Sequence, residues 1–356
     1  MKDKLMTFTF LLVLFAFMAW HLISPDLAFS YSERRKLQVL PDLTVDSLMD
    51  GSFFEDFRDY AVDHFPWRDG FRGIKHQFAL DIFGQEDLNG IYYGQGHIFK
   101  KTELSPKDYE HFTAYIKGIQ DLYFKENDLY LAMIPDKSYY YDHPTFKPDY
   151  DLLVEWLQED LENISYISLL DSLQLEDYYE TDPHWKQDGL QGVMDTIGRE
   201  MGFDLYETLK QEQLNDFRGA YLGQGPMYQG QEDLIYLLHE DFKEISIINY
   251  QEGKEGQLYV PSAIEGIDPY DVFLGGASPL IEIINPNASS DEEIIIFRDS
   301  YGSNISPLFL KHYSKVTLVD TRYMPAASLA DYMEIANQDV LFLYSALLMN
   351  NSFGLK

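Results

Sequence analysis

The sequence predicts an α/β fold: a mostly parallel sheet with helices on both faces, preceded by one apolar N-terminal helix. Three observations carry that expectation. Runs of consecutive aliphatic residues recur at 128–134, 165–170, 292–297, 315–319 and 339–344, as strands buried on both faces require. Segments with helical spacing alternate with these runs. Over 356 residues the chain is 46% hydrophobic and 15% aromatic, enough apolar surface for a sizeable core and too much for global disorder.

The first element is the apolar stretch 5–23, nearly unbroken over 19 residues after Lys2 and Lys4. It approaches the ~20 residues a helix needs to cross a hydrocarbon core. A cleaved signal has a shorter apolar region, about 7–15 residues, and a small-residue cleavage site. Ser24-Pro25-Asp26 makes a poor site and Leu27-Ala28-Phe29-Ser30 only a weak one. The expectation is a retained single-pass anchor over residues 1–23, with secretion after cleavage as the alternative. Arg34, Arg35 and Lys36 follow the span, so the positive-inside count does not orient it. The few residues ahead of the span favour a short cytoplasmic tail and an exported body.

Residues 24–50 read as a stalk, and 51–356 as the globular domain. Phe53, Phe54, Phe57, Tyr60 and Ala61 have helical spacing, in a segment stopped near Phe65-Pro66. Gly90, Gly94 and Gly96 punctuate two short strands joined by a turn. They do not lead from a strand into a helix, so a phosphate-binding loop is not expected. Helices follow at 109–126, 152–162 and 186–201. Residues 205–290, rich in Gly, Gln and Tyr, read as an irregular insertion with short strands, before the aliphatic runs return.

Composition narrows the chemistry. There are 27 basic against 59 acidic residues, a formal charge of −32, which repels DNA, RNA and anionic lipid. No nucleic-acid partner is expected, and a polyanionic substrate is disfavoured. With no cysteine, disulfides, thiolate metal sites, Fe–S clusters and cysteine nucleophiles are excluded. No cofactor or metal is expected. Serine, carboxylate and histidine chemistry remain.

Two motifs stand out. Ile294-Ile295-Ile296-Phe297-Arg298-Asp299-Ser300-Tyr301-Gly302 runs from a strand into a small-residue turn, with a helix expected after Asn304. In open α/β sheets, ligands sit beyond the carboxyl ends of the strands, where Ser300 would lie. Backbone N–H groups of this turn could hold an oxyanion, although a serine there is more often an N-cap. The second motif is Thr181-Asp182-Pro183-His184-Trp185. Residues two apart in extended chain share a side, and Pro183 biases Asp182 toward that geometry. Asp182 and His184 could therefore form the carboxylate–imidazole pair that activates a serine, or His184 could simply pack on Trp185. His64, His143 and His312 read as structural or solvated. The many aromatics could stack on sugars, though a core accounts for most of them.

Together these segments resemble the bacterial DHHW protein family, relatives of the SGNH-hydrolase-like alginate O-acetyltransferases (the AlgJ/AlgX type). The similarity runs in order through Ser32-Glu33-Arg34-Arg35-Lys36-Leu37, Asp63-His64-Phe65-Pro66-Trp67-Arg68-Asp69, Asn89 to Phe99, Ile134-Pro135-Asp136-Lys137, Thr181-Asp182-Pro183-His184-Trp185, Arg298-Asp299-Ser300-Tyr301-Gly302 and Asp320-Thr321-Arg322-Tyr323. Pro183 replaces the first histidine of the DHHW signature, leaving that residue's role unfilled. The resemblance implies an SGNH-hydrolase-like (flavodoxin-like) fold, with Ser300 as nucleophile, His184 as base and Asp182 as its orienting acid. Arg322, Lys137, Tyr301 and Gly302 would bind substrate or the oxyanion; a surface salt bridge is the alternative for Arg322 and Lys137. The implied activity is O-acyl transfer, expected to be acetyl transfer, to a cell-surface or secreted polysaccharide. A multi-pass membrane O-acyltransferase would supply the acyl groups. An acyl esterase with the same triad, or a non-catalytic carbohydrate-binding or scaffold subunit, are the rival readings.

Overall fold

The computed structural model describes residues 2–30, 33–142, 148–224, 230–250 and 253–356. Ser32 and His143, singled out above, lie outside the described residues. Contacts divide the chain into two units, Met1–Asn89 with Leu222–Tyr228, and Gly90–Tyr221 with Gln229–Lys356.

The first unit opens with the helix Lys2–Ile23, long and apolar enough to cross a membrane (mean hydropathy 2.1) and with none of its residues buried. The stretch read as a stalk, 24–50, carries two short pieces of regular structure among its described residues. Phe29–Ser30 pairs antiparallel with Arg35–Lys36, and Thr44 caps the helix Val45–Asp50 through a capping box. Gly51, at φ +86°, turns the chain left-handed, which glycine does at no steric cost, into the helix Ser52–Asp63. A further helix, Arg68–Gln77, continues as the π-helical Phe78–Ile82. The first two family-like motifs face each other: Arg35 grips both oxygens of Asp63 (2.5 and 2.9 Å), and Glu33 binds Arg68 and Arg72 at 2.9 Å each. His64 Nε2 contacts the Gln38 carbonyl (2.9 Å), a structural placement.

The second unit is built on an eight-stranded sheet. Its strands run across the sheet in the order Lys254–Glu255, Ser246–Asn249, Leu280–Ile284, Lys315–Val319, Glu293–Arg298, Asp339–Ser345, Leu129–Ile134 and Ser165–Ser168. The last five are mutually parallel, in registers such as Ile296 opposite Leu341 and Leu343 opposite Ala132. The first three are antiparallel. Alternate side chains of each central strand enter separate cores. Ile294, Ile296, Leu318, Leu341 and Leu343 pack beneath the helix Gln191–Met201 and the segment after Ser300. Ile295, Phe297, Val340, Phe342 and Tyr344 pack beneath the helices Pro106–Tyr123 and Tyr150–Asp160. Both faces are covered, so the strands read as continuous aliphatic runs. Each such side chain contributes about 1.5–3 kcal/mol by leaving water.

Two expectations shift. The irregular stretch 205–290 supplies three sheet strands as well as a separate hairpin of Lys210–Leu214 with Leu234–Leu238. The helix expected after Asn304 begins at Gly302 and passes at Ser306 into a 3₁₀ run ending at Lys311. His312 sits at the end of that run, its Nε2 2.6 Å from Glu292.

Candidate active site

The site forms at the carboxyl rim of the parallel strands. Glu293–Arg298 ends there, and Ser300 follows two residues on. Asp299 fixes the turn. One of its oxygens accepts the Tyr301 N–H (3.0 Å), and the other accepts the N–H (3.0 Å) and hydroxyl (2.5 Å) of Ser345, at the end of the neighbouring strand. Beneath it lies the fully buried Arg298, whose Nη1 donates to the Asp299 carbonyl (3.2 Å) and Ser303 Oγ (3.0 Å), 3.8 Å from Asp320. A Cβ on Gly302 would fall 2.6 Å from the Arg298 Cβ, so the turn can close over this side chain only with glycine there.

The Asp-Pro-His segment reaches the same place from 116 residues away. His184 Nε2 lies 2.7 Å from Ser300 Oγ, and its Nδ1 lies 2.5 Å from Asp182 Oδ1. An ionised carboxylate only accepts, so Nδ1 carries the ring proton and Nε2 is left to accept from the serine hydroxyl. Asp182 is buried and accepts the His184 N–H (3.1 Å) at one oxygen and the Ala220 N–H (2.7 Å) at the other. The imidazole stacks on Tyr270, ring centroids 3.8 Å apart and 11° from parallel. Tyr301 flanks it at 4.6 Å and donates its hydroxyl to the Pro183 carbonyl (2.7 Å). Trp185, the next residue, is locked to the segment after Ser300, donating to Asn304 Oδ1 (2.6 Å) while Asn304 returns a bond to its carbonyl (3.0 Å).

Two groups hold the loop from behind. Lys137 is buried, and its ammonium donates to the carbonyls of Tyr179 (2.8 Å), Glu180 (3.1 Å) and Asp182 (2.9 Å). Burial pushes it down to about 8, against the pull of Asp136 and Asp182. The Glu232 carboxylate accepts the Glu180 N–H (2.5 Å), the Thr181 N–H (3.1 Å) and the Thr181 hydroxyl (2.8 Å), and burial raises its pKa. Gly219 donates to Thr181 Oγ1 (3.0 Å).

Ser300, His184 and Asp182 thus come together. The accessory residues fall elsewhere in the network. Lys137 is enclosed beneath the loop, with its protons directed at backbone, so it is not a surface group for substrate. The N–H groups of Tyr301 and Gly302 are directed at Asp299, the latter at its carbonyl (3.2 Å), so neither faces an incoming oxyanion. Arg322 binds Asp320 through Nε (2.9 Å) and Nη2 (2.6 Å) and lies over the Tyr323 ring (5.4 Å); this is a salt bridge, not a link to Ser300. The supporting residues Ala220, Glu232 and Tyr270 carry no local signal in sequence, because only the folded stretch 205–290 brings them to the loop that holds Asp182 and His184.

No family model matches the chain, and no curated protein matches it. Solved structures do. A DHHW family protein from Eubacterium siraeum DSM 15702 superposes with a TM-score of 0.63 at 18% identity, over 75% of this chain and 95% of that one. PatB1 of Bacillus cereus, with a sulfonyl adduct, superposes at 0.57 and 20% identity over 73% and 97%; PatB1 without that label gives 0.56. The fold is SGNH-hydrolase-like. These structures lend no support to the expected relation to alginate O-acetyltransferases.

Proposed function

We propose that the protein is a DHHW-family, membrane-anchored, extracytoplasmic O-acyltransferase, moving acetyl groups to hydroxyls of a surface or secreted polysaccharide. The observation that carries this reading is the 2.7 Å contact from Ser300 Oγ to a histidine whose other nitrogen is held by a buried carboxylate. In the first half-reaction Ser300 Oγ attacks the acyl carbonyl and passes its proton to His184 Nε2. The leaving group takes that proton as its bond to the carbonyl breaks. In the second, His184 removes the proton of a sugar hydroxyl, which attacks the acyl-serine, and the proton returns to Ser300. Asp182 stabilises the imidazolium in both. On this turn the Ser300 N–H, which no described residue accepts, is the donor left for the oxyanion, worth about 3–4 kcal/mol in comparable sites.

Two further observations support the reading. PatB1, of like fold, carries a sulfonyl adduct, and sulfonylation is the chemistry of an activated nucleophile. The Lys2–Ile23 helix would hold the protein at the membrane, beside a multi-pass O-acyltransferase delivering acyl groups. The test is incubation of the full chain with a chromogenic acetyl ester and a neutral oligosaccharide. Acetylated sugar, absent with Ser300→Ala, is expected. Acetate alone would make the protein an esterase, and no turnover would leave a binding or scaffold subunit.

A further inference from the structure

The Arg68–Gln77 helix and its continuation Phe78–Ile82 turn an apolar row outward. Phe71, Ile74, Phe78 and Ile82, three or four residues apart, are exposed, Phe78 by 49% and Ile82 by 63%, while His76 and Ala79 are buried. The Ser52–Asp63 helix likewise exposes Phe54 and Phe57. Arg68 and Arg72 are taken up by Glu33 on the polar side. A surface bathed in water rarely leaves such rows uncovered.

Their place along the apolar helix indicates what covers them. Phe17 stacks on Phe65 (5.7 Å, 11°) and meets Phe71 (5.9 Å). His21 Nδ1 donates to the His64 carbonyl (2.9 Å). Phe17 precedes Ile23 by six residues, so at ~1.5 Å per residue it lies about 9 Å along the axis from the end of the helix. With that helix across a bilayer, Phe65 and Phe71 sit at the depth, about 5–10 Å, to which interfacial helices sink their apolar faces.

We propose that residues 52–83 lie in the membrane interface, with Phe71, Ile74, Phe78 and Ile82 embedded among the lipids of the leaflet from which Ile23 emerges. The inference rests on the retained-anchor reading. The attraction is apolar, in keeping with a chain whose charge repels anionic lipid. It pins the segment after the anchor to the surface instead of leaving it a swinging tether.

The chain has no cysteine, so single nitroxide labels can be placed cleanly at Phe78→Cys, Ile82→Cys, Asp69→Cys on the opposite side of the helix and, within the span, Val13→Cys. All four positions are exposed. Full-length protein in phosphatidylcholine bilayers is then read by accessibility to oxygen and to an aqueous nickel chelate. The expected result is a ratio of oxygen to nickel accessibility several-fold higher at 78 and 82 than at 69, at depths of about 5–10 Å. Nickel access at 78 and 82 equal to that at 69 overturns the proposal, as does shielding from both reagents, which would mean a protein partner. A lipid signature at 13 with either failure spares the anchor; water access at 13 defeats the anchor and this inference together.

Discussion

Asp182 does three things at once. It accepts the hydrogen bond of the imidazole Nδ1–H, accepts the His184 backbone N–H, and anchors the loop to Ala220. Asp182→Asn keeps the shape but favours the wrong tautomer, so kcat on an acetyl ester should fall roughly 10³–10⁴-fold with little loss of fold. A fall of less than tenfold would remove Asp182 from the proposed mechanism. Lys137 offers a pH test. Its pKa drops from 10.5 to about 8 on burial, so between those values the unfolded chain holds a proton that the folded one has released. Stability therefore gains with pH in that window, by at most about 1.4 kcal/mol per unit from this group. Urea titrations of wild type and Lys137→Met at pH 7 and 9.5 should show the wild type gaining relative to the variant as pH rises. Parallel curves would mean the ammonium is not desolvated as described.

Among elements, the insertion matters most for the site, because it clasps the Asp-Pro-His loop against the sheet rim. A Cβ on Gly219 would lie 2.2 Å from the Thr181 carbonyl carbon and oxygen, and backbone cannot move aside as a flexible side chain can. Gly219→Ala should therefore displace the loop and cost roughly 10²-fold in kcat. Gly118, on the exposed side of the Pro106–Tyr123 helix, has nothing within 4 Å of a built Cβ. Gly118→Ala should leave activity unchanged and raise stability by about 0.5–1 kcal/mol, as thermal melts of the two variants would show.

The same contrast explains what the sequence revealed. The strands around 129–134, 293–298, 315–319 and 339–345 were legible because burial on both faces demands unbroken aliphatics. Leu280–Ile284 and Ser246–Asn249 were not, being antiparallel and set among irregular residues. Asp182 beside His184 was legible because the pairing is local. Glu232, Ala220 and Tyr270 were hidden because their roles exist only after long-range closure.

For the whole molecule, the open question in the sequence was whether two motifs 116 residues apart would meet. Neither motif contains that information; it lies in the strand order, which puts the Glu293–Arg298 strand between Lys315–Val319 and Asp339–Ser345 and so sets Ser300 at the rim the histidine loop covers. If the contact is chemically active, the full chain treated with an arylsulfonyl fluoride should gain one adduct by intact mass, mapped to Ser300 after digestion. His184→Gln should slow its formation at least a hundredfold, a conservative share of what a triad histidine contributes. An adduct on another residue, or equal labelling of wild type and His184→Gln, would contradict an activated Ser300.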